Sequence, residues 1–353
     1  MSSLVNIPLW RRRSPAEQMM LCCTRLNFDE TWQEVALSLA VDLAWDEVLS
    51  IAVLHQVTPL VYRNLQSCPA LASGIPDPII EKFRQALVLN MQKKSELGDA
   101  LRGALEFFGG MGIDLLLIKG TSLDARLYRD PWLTVSQDLD LVVLEKWESL
   151  SEEAREWIRD GNAATPLIDV QCERHADLVM NGLLPLNFDS MVSRAQPREI
   201  HGHRALLMCP EDELLCACIQ SFRKRYFRLK SLCEIAEFVN QHRDLDWNTL
   251  FQNAVAERCS GIVYVALLAA SMSVGCELPG DLRQRLEISK VRAVTLRFLI
   301  HRVSFSSLAT LYVDRWFRGK QIGRSLMLPY ASLGFGKTWK SLKIVSSQAL
   351  AAP

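Results

Sequence analysis

The chain has 353 residues, 49% of them hydrophobic, and its 40 Lys+Arg are balanced by 40 Asp+Glu. A formal charge of zero gives no global field to draw in nucleic acid or an anionic membrane, so any anionic ligand has to be met by local cations. No stretch supplies the roughly 18 to 20 uncharged apolar residues of a membrane span, and no apolar segment follows the basic Trp10-Arg11-Arg12-Arg13 run as a secretory signal requires, so a cytoplasmic protein is expected. Ten cysteines lie scattered among Leu, Ala and Ile without paired zinc spacing, which suits small core hydrophobes.

From residue 17 to about 91, apolar residues recur at helical spacing, as in Trp32, Val35, Ala36 and Leu39, then Val48, Ile51, Ala52 and Leu54. Pro69, Gly74, Pro76 and Pro78 punctuate this cap of short helices, and another helix is predicted from Pro78 towards Phe108. At Gly109-Gly110-Met111-Gly112 the period changes: residues 113–120 read as a short buried strand entering a turn, and 121–128 as a short helix stopped by Asp130-Pro131. Residues 138–144 alternate polar and apolar before turning wholly apolar, the pattern of a strand whose first half lines a wet cleft. A charged helix is predicted over 147–160, ended by Gly161-Asn162, and a third strand over 167–171. Beyond Pro185 only helices are expected: a long one from Pro210 carrying Leu215, Ile219, Phe222, Tyr226, Leu229 and Leu232 on one face, one from Asp246-Trp247, one over 260–274 and one over 282–303. The glycine-bearing tail around Gly334 to Lys337 reads as mobile or docked on a partner.

Residues two apart on a strand project to one face, so Asp138 and Asp140 are expected side by side in a cleft. Two such carboxylates repel unless a hard cation lies between them, and Mg²⁺ typically binds through one or two carboxylates plus substrate phosphates. Asp169 on the third strand is the candidate third ligand. The Lys119-Gly120-Thr121-Ser122 turn suits phosphate, because a glycine at a strand-to-helix turn lets backbone N–H groups approach closely. Alternating acids also suit a plain solvent face; the apolar second half, the preceding glycine turn and the acid-bearing third strand set this strand apart.

Ile118-Lys119-Gly120-Thr121-Ser122-Leu123, Tyr128-Arg129-Asp130-Pro131 and Asp138-Leu139-Asp140-Leu141-Val142-Val143 together resemble the uncharacterised nucleotidyltransferase family of the polymerase-β-like superfamily. The likeness extends to His55-Gln56-Val57-Thr58-Pro59-Leu60 and to the Arg228 to Ala236 helix. It implies a helix-rich α+β fold: a small mixed-sheet nucleotidyltransferase core at 91–185, flanked by helical regions at 1–90 and 186–353. It also implies Mg²⁺-dependent transfer of a nucleoside monophosphate from an NTP to an acceptor, in a setting such as bacterial polysaccharide or modified-peptide biosynthesis. Asp138, Asp140 and Asp169 are then the catalytic and metal-binding residues, and Lys119, Gly120, Thr121 and Ser122 face the triphosphate, with Arg228 and Lys230 as further anion binders. Three departures stand against the family pattern: Thr134-Val135-Ser136-Gln137 replaces an Arg ahead of the acidic pair, Gln171 follows the third acid with His175 further on, and the interval from Asp140 to Asp169 looks one hairpin short. A fold retained for partner binding without catalysis is the alternative.

Overall fold

The computed structural model describes residues 13–164, 168–172, 186–223 and 228–303. His175, Lys224, the Gly334 to Lys337 tail and nearly all of the basic N-terminal run lie outside the described residues.

The helical spacing near the N-terminus produces α1 (Pro15–Cys23), α2 (Glu30–Leu39), α3 (Trp45–Leu54), α4 (Thr58–Ser67) and the short α5 (Pro69–Ala72). Ser14 opens α1 with a capping box: its hydroxyl accepts from the Glu17 N–H, and the Glu17 carboxylate accepts from the Ser14 N–H. Helix α6 (Asp77–Gly110) runs for 34 residues, about 50 Å at 1.5 Å per residue. Its first half packs on α4, while Leu97, Leu101, Leu105 and Phe108 in its second half pack on a sheet.

That sheet has five strands, β1 (Leu115–Leu117), β2 (Leu139–Val143), β3 (Ile168–Cys172), β4 (Gln196–Ile200) and β5 (His203–Leu207), in the order β3-β2-β1-β5-β4. β1 runs antiparallel to β2 and parallel to β5, and β2 runs parallel to β3. The fold is therefore a helix-rich α+β fold on a small mixed sheet. Helix α7 (Lys119–Leu127) follows β1, and α8 (Glu152–Ala164) carries the crossover from β2 to β3. This crossover is why no hairpin is needed between Asp140 and Asp169: parallel neighbours are joined by a helix. Gly161 and Asn162 do not end α8, because a glycine weakens a helix by only about 1 kcal/mol against alanine.

Two sequence readings beyond Pro185 are corrected. After α9 (Phe188–Ser193), residues 196–207 form the antiparallel β4–β5 hairpin rather than helix. β4 is an exposed edge strand without an apolar run, and the signal lies instead in its turn, where His201 and Gly202 take φ of 53° and 79°; two left-handed central residues match the twist of a tight hairpin. The long helix expected from Pro210 is two helices, α10 (Pro210–Arg223) and α11 (Leu229–Gln241). Arg228 is extended, and His55 receives the start of α11: the Leu229 N–H donates to Nδ1 at 3.2 Å and the Lys230 N–H to the His55 carbonyl at 3.3 Å. The remaining described helices are α12 (Trp247–Ala256), α13 (Ser260–Ser273), α14 (Leu282–Arg285) and α15 (Lys290–Val303).

The pleat divides the interior. Leu115, Leu117, Leu139, Leu141 and Val143 join a core with α6 and α8, whereas Leu116 and Val142 join a larger core with the N- and C-terminal helices. Asp140 shares a face with Val142, so it looks towards that helical layer. Buried Asn90 on α6 fixes the approach to β2, its Nδ2 donating to the carbonyls of Trp132 at 2.7 Å and Thr134 at 2.8 Å. Asn90→Ala strands both acceptors and is expected to lower stability by about 1–3 kcal/mol, read as a reduced urea midpoint with an unchanged slope.

Candidate active site

β2 delivers Asp140 to the mouth of a cleft of about 250 Å³ between the sheet and the helical layer. Asp138, Lys119, Gly120, Arg228 and Lys230 also line this cleft, together with residues the sequence reading did not assign to the site, among them Gln56, Ser136, Glu213 and Glu234. Asp140 is 8% exposed, while Asp138, one step ahead of the strand, is exposed. Asp169 is the register partner of Asp140 across the parallel β2–β3 pair, which brings the third acidic position alongside the second at backbone level.

A buried carboxylate is costly unless it is paired, and here Lys119 Nζ makes a short ion pair with Asp140 Oδ1. The Asp140 N–H donates to Thr121 Oγ1 at 3.0 Å. Lys119 has φ of 54°, a left-handed conformation that costs a residue with a Cβ roughly 1–2 kcal/mol and persists where surrounding contacts enforce it. Thr121 and Ser122 lie behind the cleft wall, both buried: Ser122 Oγ donates to Glu213 Oε2 in a short hydrogen bond. Gly120 is on the wall itself. A Cβ there would meet only Ser136 Oγ at 3.7 Å, an ordinary contact, so the protein does not need this glycine for its own packing.

The segment ahead of the acidic pair is met by a lysine from another element. Lys94 on α6 pairs with Asp124 on α7 and donates to Thr134 Oγ1 at 2.9 Å and Ser136 Oγ at 2.8 Å. Burial lowers the Lys94 pKa, with the Asp124 charge opposing the shift. On the opposite wall, Lys230 pairs with Glu234 at 2.8 Å; burial disfavours the Lys230 charge, but Glu234 and Asp124 outweigh it and leave the pKa raised. The sequence did not assign Lys94, Asp124 or Glu213 to the site because their partners stand 30 to 91 positions away, so no local spacing marks them.

A family model described as uncharacterised nucleotidyltransferase matches residues 41–273, more than half of the chain. The chain belongs to this nucleotidyltransferase family. The matched segment spans His55, the Lys119-Gly120 turn, Asp138, Asp140 and the Arg228 to Ala236 helix, so every wall of the cleft falls within it. No curated protein and no solved structure matches the chain. Among the described residues no helix is long and apolar enough to cross a membrane.

For a nucleotidyltransferase, the donor set suits a hard divalent cation: oxygen ligands only, with Asp140 sunk in a position already compensated by a positive group, the Lys119 ammonium. Among the described residues no group of three or more His, Cys, Asp or Glu side chains is placed to hold a metal ion.

Glu213, at the first turn of α10, is 1% exposed, 3.5 Å from Arg126 Nε and hydrogen-bonded by Ser122. Burial raises its pKa from 4.5 to about 7, against the opposing effects of Ser122 and Arg126. A raised acid binds its proton more tightly folded than unfolded, so its favourable contribution is complete below about pH 4.5 and is lost as pH rises through about 7. Glu213→Gln is therefore expected to match wild-type stability near pH 4.5 and to exceed it at pH 8, by on the order of 3 kcal/mol at 1.4 kcal/mol per pH unit, measured as the difference in Tm across pH.

Proposed function

We propose that the protein is a Mg²⁺-dependent nucleotidyltransferase that moves a nucleoside monophosphate from an NTP to an acceptor. The observation that carries this reading is the juxtaposition of a buried, cation-paired Asp140 with a glycine wall at the start of α7. Asp138 and Asp140, with Asp169 in register beside them, would hold the metal, which when bound offsets charge on the triphosphate and on the leaving pyrophosphate. The first-turn N–H groups of α7 lack intrahelical acceptors, and the positive end of the helix dipole favours phosphate there. Gly120 keeps a side chain out of that approach. Lys119, Arg228 and Lys230 add positive charge around the triphosphate, while Thr121 and Ser122 hold the turn from behind through Asp140 and Glu213. Fixing both reactants in one cleft supplies the orientation on which such a displacement depends. The acceptor belongs with polysaccharide or modified-peptide biosynthesis, following the family resemblance.

The Lys119–Asp140 pair also favours a second reading, a fold kept for partner binding in which the ammonium has permanently taken the cation's place.

The two are separated by titrating each NTP with and without Mg²⁺ while monitoring binding and pyrophosphate release. The transferase reading expects metal-dependent binding in wild type and at least roughly a hundredfold loss of turnover in Asp140→Asn. No metal-dependent binding of any NTP leaves the partner-binding reading. Gly120→Ala refines the test: the fold accommodates the methyl, so Tm should hold while NTP affinity falls by about tenfold, a change of 1.4 kcal/mol.

A further inference from the structure

A second pocket, of about 930 Å³, opens at the other end of α11. Lys230 and Glu234 on the first part of this helix face the nucleotide cleft, whereas Val239 and Asn240 line the second pocket, about 14 Å further along at 1.5 Å per residue. Two of its walls come from outside the family segment 41–273: Arg25 and Trp32 on one side, and the stretch from Gly275 to Pro279 on the other.

Arg25 is the unusual group. It is 8% exposed, and among the described residues its guanidinium makes no hydrogen bond and no ion pair within 4.0 Å. Nε and Nη2 are sealed from solvent without an acceptor, so the donor left to the pocket is Nη1, which lies at the pocket-lining Gly275, 3.0 Å from where a Cβ would stand. Gly275 has φ of 96°, so that position favours glycine on backbone grounds as well. The Trp32 ring covers one face of the guanidinium at 3.5 Å, a cation–π contact that leaves the in-plane N–H donors unserved.

The placement is enforced from behind. The Arg25 carbonyl accepts from Asn64 Nδ2 at 2.8 Å and Arg63 Nη2 at 3.2 Å. The next N–H, of Leu26, donates to Glu237 Oε1 at 3.0 Å. Burial lowers the Arg25 pKa to about 10, which leaves it charged at neutral pH. Fully buried charges are normally paired; Glu237 and Asp29 favour the charged form of Arg25 from a distance, and exposed Glu277 lies on the pocket wall, but among the described residues no carboxylate stands within 4.0 Å of the guanidinium.

The rest of the lining indicates what would complete it. Arg243 adds a second, exposed cation, Trp247 adds an indole, and the His242 ring is held flat on Phe238 with centroids 4.1 Å apart. We infer that this pocket is a binding site for a small organic anion with a planar apolar body, its anionic group meeting Arg25 Nη1 and Arg243 and its ring lying among Trp32, His242 and Trp247. This inference is independent of the nucleotidyltransferase reading, because no residue of the nucleotide cleft takes part.

The test uses full-length ¹⁵N-labelled protein titrated with benzoate, phenyl phosphate, inorganic phosphate and neutral benzamide, following the indole N–H resonances of Trp32 and Trp247, assigned from Trp→Phe variants. Saturable shifts with benzoate or phenyl phosphate, at least tenfold weaker for benzamide and inorganic phosphate, support the site, and whichever of the two aromatic anions binds more tightly identifies the anionic group. Arg25→Gln should weaken that binding at least tenfold while metal-dependent NTP binding is unchanged. Should Arg25→Gln fail to fold, Arg243→Gln and the benzamide comparison on wild type carry the same test. No shift with either aromatic anion, equal shifts with benzamide, or full binding by folded Arg25→Gln overturns it.

Discussion

A carboxylate withdrawn from water is tolerable only where cations and hydrogen-bond donors replace its hydration, and the surroundings of Asp140 are organised by that demand. β2 carries it into the interior because the alternate residues Leu139, Leu141 and Val143 are needed on the opposite face for the α6–α8 core. Lys119 supplies the charge from an uncommon left-handed backbone position, and Thr121 accepts the Asp140 N–H. With the Ile118 N–H donating to the Asp140 carbonyl as well, the strand-to-helix turn is tied to the acidic strand by contacts that centre on one residue.

The helical layers extend the same arrangement outward. Ser122 reaches Glu213 on α10, Lys94 on α6 draws Asp124 together with the loop that leads into β2, and His55 receives the first N–H groups of α11 so that Arg228 and Lys230 stand on the far wall. Each wall of the cleft therefore belongs to a different part of the chain, and the Lys119–Asp140 and Ser122–Glu213 contacts join one wall to the next. The residues that line the cleft, from Gln56 to Glu234, all fall within the family segment 41–273.

Much of this was legible in the order of residue types. The short helices, the switch of period after Gly112, the Asp-Leu-Asp strand and the Lys119-Gly120 turn all announce themselves over a few residues, because helix and strand periodicity are local properties. The β4–β5 hairpin did not, since β4 is an exposed edge strand whose polar residues carry no alternation and whose only mark is the His201-Gly202 turn. The division of the long C-terminal helix at Arg228 also escaped, because the apolar face continues in phase across the break.

By itself the sequence determined the helix-rich α+β class, the acidic strand and the glycine turn that follows β1, for these depend on neighbours within a few positions. Tertiary structure alone decided which groups surround them: that Lys94 reaches Thr134 and Ser136 ahead of the acidic strand, that Ser122 is buried against Glu213, and that Arg25 is buried beside Trp32. The physical reason is range. Charge compensation and desolvation are set by whatever the packed layers bring within a few ångströms, and in this chain those partners lie up to 91 residues apart in the candidate site.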